Sequence, residues 1–148
     1  MGKVLEIGIC KSKGSKIVSV KEVEAIKGKG LTNDRKFKEN NEITRQITLI
    51  EIESINQYNT LSKTTIPAIN FRRNIVTKDI KLNELVGKEF FIGNVKIKGH
   101  DFCRPCKYLQ DLLKEKNFVK KLLNTGGLRC EILSNGKIFV DDQITFNL

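Results

Sequence analysis

Apolar side chains recur along this chain in short runs that alternate with polar positions and are bounded by Gly, Asn or Asp. Such runs, rich in β-branched residues, predict strands rather than helices. The strands expected from this pattern are Val4–Ile9, Ile17–Ala25, Arg45–Ile50, Phe71–Val76, Glu89–Lys98, Gly127–Leu133, Lys137–Val140 and Gln143–Phe146. The dipeptides Gly93-Asn94 and Asn135-Gly136 tolerate the positive φ of a tight turn, so each predicts a hairpin.

Helical periodicity is clear in one segment only. Apolar residues recur there at spacings of three and four, which predicts a helix over Lys107–Leu123. A weaker pattern predicts a second helix over Glu51–Tyr58. Many short strands and few helices indicate a β-rich mixed α/β fold, a barrel or folded sheet with one or two short peripheral helices. At 148 residues, the chain is expected to form a single domain over residues 1–148.

The composition adds a strong positive charge to this picture. The net charge is +10, which favours anionic partners such as nucleic acid or a phosphorylated cofactor. Because lysines are scattered along the whole chain, most of this charge is expected to be solvated. A basic nucleic-acid-binding module stays open as an alternative, but no Trp and only two Tyr are present to stack on bases, so nucleic acid is the less favoured partner. No apolar run approaches the ~18 residues of a membrane span and no secretory signal is present, so a cytoplasmic protein is expected.

The sharpest local feature is Cys103-Arg104-Pro105-Cys106, which lies between a predicted strand and the predicted helix. Pro105 suits the first helical turn, where its missing N–H group costs nothing. The thiol of Cys106 would then lie among free backbone N–H groups, with Arg104 and Lys107 nearby. Each of these surroundings lowers a thiol pKa, so Cys106 is predicted to be a reactive thiolate.

Three kinds of chemistry fit this pair of cysteines. Cys103 and Cys106 could form a dithiol–disulfide oxidoreductase centre, although such centres usually lie early in a βαβ unit. They could also form half of a zinc site with His100 and Cys130, whose spacing is irregular for that purpose. A single thiolate at Cys106 could instead carry sulfur or bind a soft metal such as molybdenum, with Cys103 as a resolving or packing neighbour.

Polar clusters at the ends of predicted strands suggest a pocket for an anion. Glycines allow close backbone approach and arginines make bidentate contacts with phosphate. Adjacent side chains of a strand face opposite sides, so only one of Arg72 and Arg73 can point into a barrel mouth. The candidate binding residues are Gly30, Asp34, Arg35, Arg45, Gln46, Arg72, Asn74 and Arg129.

The order of these motifs resembles the MOSC domain family (molybdenum-cofactor sulfurase C-terminal domain). The segment Gly30–Arg35 is similar to the family's Gly-x-x-Gly-Asp-Arg loop, with Asn33 in place of the second glycine. The closing Gly-x-Ile-x-Val-Gly-Asp motif is matched except that Asp141 replaces its glycine. The other matching segments are Arg45–Ile50, Phe71–Val76, Leu85–Val95, Cys103–Cys106 and Gly126–Arg129.

The resemblance implies a small, stand-alone bacterial MOSC domain with a β-barrel fold. Family members are thought to bind the molybdenum cofactor or to carry activated sulfur, and some bacterial members reduce N-hydroxylated compounds. A similar Cys-x-Arg-Cys in the mitochondrial amidoxime-reducing component ligates molybdenum through its second cysteine, which corresponds to Cys106. By this resemblance Cys106 is the metal ligand or persulfide carrier, and a sulfur donor such as a cysteine desulfurase is an expected partner. Arg35, Arg45, Arg72 and Arg129 would neutralise the cofactor's phosphate, while Gln46 and Asn74 would hydrogen-bond its pterin.

Overall fold

The structure, a computed structural model, describes residues 2–103 and 126–146, and within them it is dominated by short strands. The one α-helix of this part is α1 (Ile52–Ser62), and two 3₁₀ turns cover Ala68–Phe71 and Leu82–Leu85. The strands are β1 (Gly2–Ile9), β2 (Val18–Val20), β3 (Glu22–Ile26), β4 (Gly30–Leu31), β5 (Ile47–Glu51), β6 (Ile75–Lys78), β7 (Glu89–Ile92), β8 (Val95–Phe102), β9 (Leu128–Ile132), β10 (Gly136–Phe139) and β11 (Gln143–Thr145).

Seven strands close into a mixed β-barrel, as the sequence predicted. Their order is β11-β7-β8-β9-β5-β6-β1, and pairing of β1 with β11 closes the ring. Strand β2 extends the sheet beyond β1, and β10, β3 and β4 form a second, three-stranded sheet. Closure leaves few exposed strand edges, which is the usual way for a β-rich chain to avoid edge-to-edge association.

Strands β5 and β6 pair in parallel and are connected through α1. Residues of β5 are therefore buried on both faces of the sheet, as is typical of parallel strands covered by a helix. Ile47 and Leu49 belong to the main core, whereas Ile50 packs with Ile55 in a second core beneath α1. Within the described residues, no helix has the length and apolar character needed to cross a membrane.

One of the two predicted hairpins is confirmed and the other is wrong. β7 and β8 pair from Ile92 opposite Val95, so Gly93 and Asn94 form the two-residue turn. By contrast, β9 and β10 lie in different sheets. The side chain of Asn135 accepts a hydrogen bond from the Lys27 N–H at 2.7 Å, and Gly136 begins β10, which pairs with β3. Because the following strand finds a distant partner, the Asn-Gly turn links two sheets.

Other predicted boundaries shift for local reasons. The single strand expected over Ile17–Ala25 is divided into β2 and β3, which belong to different sheets. The strand expected from Phe71 begins at Ile75, because a 3₁₀ turn over Ala68–Phe71 precedes it. The helix predicted over Glu51–Tyr58 is confirmed as α1, although it runs on to Ser62. The helix predicted over Lys107–Leu123 lies outside the described residues.

The two departures from the resembled motifs preserve the backbone that glycine would adopt. Asn33 has φ 66° and Asp141 has φ 78°, both in the left-handed region. Asn and Asp are the non-glycine residues that enter this region most readily. The substitutions therefore change the side chains at these turns while the chain path remains compatible with glycine.

Candidate functional site

The loop between β4 and β5 forms a cavity of about 250 Å³. Its lining consists of Arg35, Lys36, Phe37, Lys38, Asn41, Glu42 and Arg45. Arg35 and Arg45, which the sequence suggested from separate motifs, thus line one cavity. Four of the seven residues are cationic and one is acidic, so the cavity carries an excess of positive charge that favours an anion. We refer to it as the cationic pocket.

Hydrogen bonds of Asn41 hold the shape of this loop. Its amide nitrogen donates to the carbonyl oxygens of Lys29 at 2.9 Å and Lys36 at 2.6 Å. Its backbone N–H donates to the Gly28 carbonyl at 3.0 Å. Because these bonds tie the middle of the loop to the turn before β4, the cationic side chains project from a pre-formed backbone.

Lys36 connects the cationic pocket to the end of β8. Burial lowers the pKa of Lys36, and the charges of Arg35 and Arg73 lower it further. Cys103 and Asp34 act in the opposite direction, which places the Cys103 thiol within electrostatic range of the same ammonium group. Lys36 was not predicted from the sequence, because its adjacency to Asp34-Arg35 was the only local signal.

Cys103 is buried at the barrel rim with only 4% of its surface exposed. Its N–H group donates to the Gly127 carbonyl at 2.7 Å. Burial raises the pKa of the Cys103 thiol even though Arg73, Lys36 and Arg129 act to lower it. A buried thiol with a raised pKa is a weak nucleophile, so in this geometry Cys103 packs rather than reacts. Cys106, the predicted reactive thiol and metal ligand, lies outside the described residues.

Arg72 and Arg73 diverge, but both precede β6, so strand alternation is not the cause, and Arg73 is the one at the rim. Its Nε donates to the Gly126 carbonyl at 2.9 Å, and its charge acts on both Cys103 and Lys36. Arg72 adopts φ 63° and instead donates to Ser15 O at 3.1 Å and to the Cys10 sulfur at 3.2 Å. Arg72, the candidate predicted from the sequence, is therefore engaged by the loop after β1.

The contact with Arg72 also changes the state of Cys10. Burial by itself would raise the pKa of this thiol. Hydrogen bonding with Ser15, together with the charge and hydrogen bond of Arg72, outweighs burial and lowers the pKa below its ordinary value. This contact between the Cys10 sulfur and the Arg72 guanidinium joins the loop after β1 to the segment before β6.

Gln46 and Asn74 use their amides to hold strands together. The Asn74 side-chain oxygen accepts bonds from the N–H and the hydroxyl of Thr48, both at 3.1 Å, and its nitrogen donates to Gly8 O at 3.0 Å. Gln46 accepts from the Ile132 N–H at 2.9 Å. Both side chains are buried, so the two residues predicted to contact a pterin are engaged within the barrel wall.

Gly30 and Asp34 organise the loop that carries the pocket. Asp34 accepts hydrogen bonds from the N–H groups of Cys10 at 2.9 Å and Lys36 at 3.3 Å. Gly30 has φ 130°, and a Cβ atom there would lie 3.3 Å from Gln46 O. Gly30 therefore approaches the protein's own backbone closely. Gly30 and Asp34 both act by positioning Arg35 and Lys36.

Arg129 reaches the same rim from β9. One of its terminal nitrogens pairs with Asp101 at 2.6 Å across β8 and β9, while its buried Nε has no hydrogen-bond partner among the described residues. A buried N–H group without a partner costs free energy that an incoming acceptor would recover. Arg129 therefore keeps donor capacity beside Cys103.

Within residues 2–103 and 126–146, no group of three His, Cys, Asp or Glu side chains could hold a metal ion. His100 bonds to Glu131 at 2.8 Å, and Cys130 is fully buried with its pKa raised well above the ordinary value. The two residues considered for zinc with the cysteine pair are thus separately engaged.

Comparison with known proteins identifies the family. The sequence model of the MOSC domain matches residues 31–145, and the chain belongs to that family. The crystal structure of the YuaD protein from Bacillus subtilis superposes with a TM-score of 0.81 at 19% identity, covering 97% of this chain and 94% of that one. YiiM from Geobacillus stearothermophilus gives 0.76 at 15% identity, covering 100% and 76%. YiiM from Escherichia coli gives 0.74 at 18% identity, covering 100% and 70%. Comparison with curated proteins gives no significant match.

Proposed function

We propose that this MOSC domain binds an anionic cofactor of the molybdopterin type, or carries activated sulfur, through the thiolate of Cys106. The observation that carries the proposal is the convergence of Lys36, Arg73 and Arg129 on the thiol at the end of β8. Cys106 follows Cys103 by three residues, so chain length alone keeps their Cα atoms within about 11 Å. The proposal places the Cys106 thiol within reach of the same positive charges.

The donor set fits such a group. The cationic pocket supplies charges for a phosphate, and Arg129 adds a further positive charge at the rim. Thiolate sulfur is a ligand that suits soft metals such as molybdenum. When bound, the cofactor would supply two-electron redox chemistry at its metal. The protein would orient it through Arg35, Arg45 and Lys36.

The sulfur-carrier form of the proposal needs no metal. The Cys106 thiolate would attack the outer sulfur of a donor persulfide, such as that of a cysteine desulfurase. A new S–S bond forms at Cys106, and the donor leaves as a thiolate, so no external oxidant or reductant is consumed. The cations at the rim would favour this reaction by keeping the attacking sulfur anionic at neutral pH.

The two alternatives are supported less well by the described geometry. A dithiol reductase would require Cys103 to exchange with a disulfide, yet its thiol is buried and its pKa is raised. For nucleic acid, an extended basic surface would be expected, whereas the cations at this site surround a cavity.

Analysis of freshly purified protein tests the proposal. Protein made in a host with intact molybdenum-cofactor synthesis is expected to carry stoichiometric molybdenum, measured by mass spectrometry of the metal, or stoichiometric sulfane sulfur, measured by cyanolysis. Protein from a host unable to make the cofactor is the control for the metal. Wild-type protein that is blank in both assays would contradict the proposal.

A further inference from the structure

The cations of the cationic pocket form no ion pair among the described residues, although Glu42 lines the pocket and the charge of Asp34 acts on Lys36. Ion pairs in the described part of the chain involve Lys29 with Glu39 and Arg129 with Asp101, among others, but none involves Arg35, Lys36, Lys38 or Arg45. Glu39, the acid on this loop that does form an ion pair, is bound to Lys29 at 2.8 Å. Positive charge therefore accumulates in the pocket, and a multivalent anion would relieve it.

Lys36 differs from the other pocket cations because it is the half-buried one that can lose its proton. Arg35, Lys38 and Arg45 are exposed. The charged or titratable groups that face Lys36 come from its own loop, from the segment before β6 and from the end of β8. They are Asp34, Arg35, Lys38, Glu42, Arg45, Arg73 and Cys103.

We propose that Lys36 is a proton-coupled anion switch, which binds a proton when a tetrahedral dianion of the phosphate-ester class enters the cationic pocket and releases it when the anion leaves. The inference deepens the proposed cofactor site and rests on its anion pocket. It does not depend on molybdenum or on sulfur chemistry. Loading and release of the ligand would then respond to pH through a single lysine.

The direction of the coupling follows from the surroundings of Lys36. Burial and the neighbouring arginines lower the pKa of Lys36 below its ordinary value of 10.5. A dianion in the pocket favours the charged ammonium form, so the bound state has the higher pKa. Between the two values, binding must draw a proton from solution.

Calorimetry with sulfate measures this proton directly. Sulfate is a tetrahedral dianion that does not itself titrate near neutrality, and chloride at equal ionic strength controls for screening. Titrations in buffers of different ionisation enthalpy, from about pH 7 to about pH 10, bracket the region below the ordinary lysine pKa. Wild-type protein is expected to take up a proton when it binds sulfate. The uptake is measured as a binding enthalpy that changes with the ionisation enthalpy of the buffer.

Three variants assign the proton. Lys36→Arg keeps the charge permanently, so sulfate should bind without proton uptake. Lys36→Met should weaken sulfate binding roughly tenfold and also abolish uptake. Lys38→Met is the matched control in the same pocket and should retain uptake. Sulfate binding no stronger than chloride binding, or uptake unchanged in Lys36→Arg, would overturn the inference. If protein that lacks both molybdenum and sulfane sulfur still takes up a proton on binding sulfate, the inference about Lys36 holds and only the cofactor proposal is rejected.

Discussion

Cys106→Ala protein is expected to contain background levels of both molybdenum and sulfane sulfur, although it folds as the wild type does. The reason is chemical, because alanine offers neither a soft ligand nor a nucleophilic sulfur. Metal analysis and cyanolysis, normalised to protein, measure the loss. Circular dichroism and the midpoint of urea unfolding establish that the variant is folded.

Cys103→Ala is the matched control for this loss. The Cys103 thiol is buried and its pKa is raised, so removing the sulfur should leave the bound metal or sulfur largely in place. If both folded variants lost their bound molybdenum or sulfane sulfur to the same extent, the two cysteines would act together. That outcome would favour a dithiol centre over a single functional thiolate.

Gly127→Ala is expected to lower the free energy of unfolding by about 3–5 kcal/mol, near the upper end of single-substitution effects. Gly127 has φ 113°, and a Cβ atom there would collide with the Leu49 carbonyl oxygen, so the backbone of β5 or of residues 126–127 must shift. The carbonyl of Gly127 also accepts the Cys103 N–H bond at 2.7 Å, so the shift would disturb the rim of the site. Urea unfolding at fixed temperature measures the change.

The Gly28→Ala variant separates the free-energy cost of a left-handed alanine backbone from the cost of the steric collision at residue 127. Gly28 also has a positive φ, 74°, but a Cβ atom there would meet nothing within 4 Å. Its substitution should therefore cost only the ~1–2 kcal/mol of a left-handed alanine. Equal destabilisation in the two variants would mean that the contact with Leu49 contributes little.

The barrel could be predicted from the sequence because its strands follow local patterns. The turn at Gly93-Asn94 is confirmed, since β7 and β8 are neighbours in both sequence and space. The hairpin predicted at Asn135-Gly136 failed because the same dipeptide also suits a connection between sheets. A turn signal fixes the path of a few residues, whereas the partner of the next strand is decided by distant packing.

The site was predicted in part for the same reason. Arg35 and Arg45 were expected to bind an anion, and they do line one cavity. Lys36 was missed, and Arg72 was chosen over Arg73, because the importance of Lys36 and Arg73 arises from their electrostatic effect on Cys103, which lies far away in the sequence. Asn74 was predicted to face a ligand, yet its buried amide satisfies Gly8 and Thr48. A polar residue at a strand end is equally suited to contacting a ligand and to forming hydrogen bonds within the fold.

The most direct test of the account is the pH dependence of Cys106 alkylation, followed by mass spectrometry of the peptide that contains it. If the cations of the barrel rim hold this sulfur anionic, the reaction is expected to titrate below the ~8.5 of an ordinary thiol. The Arg73→Met variant should then titrate at a higher pH than the wild type. A Cys106 thiol that titrates at or above the ordinary value and does not respond to Arg73→Met would contradict the account.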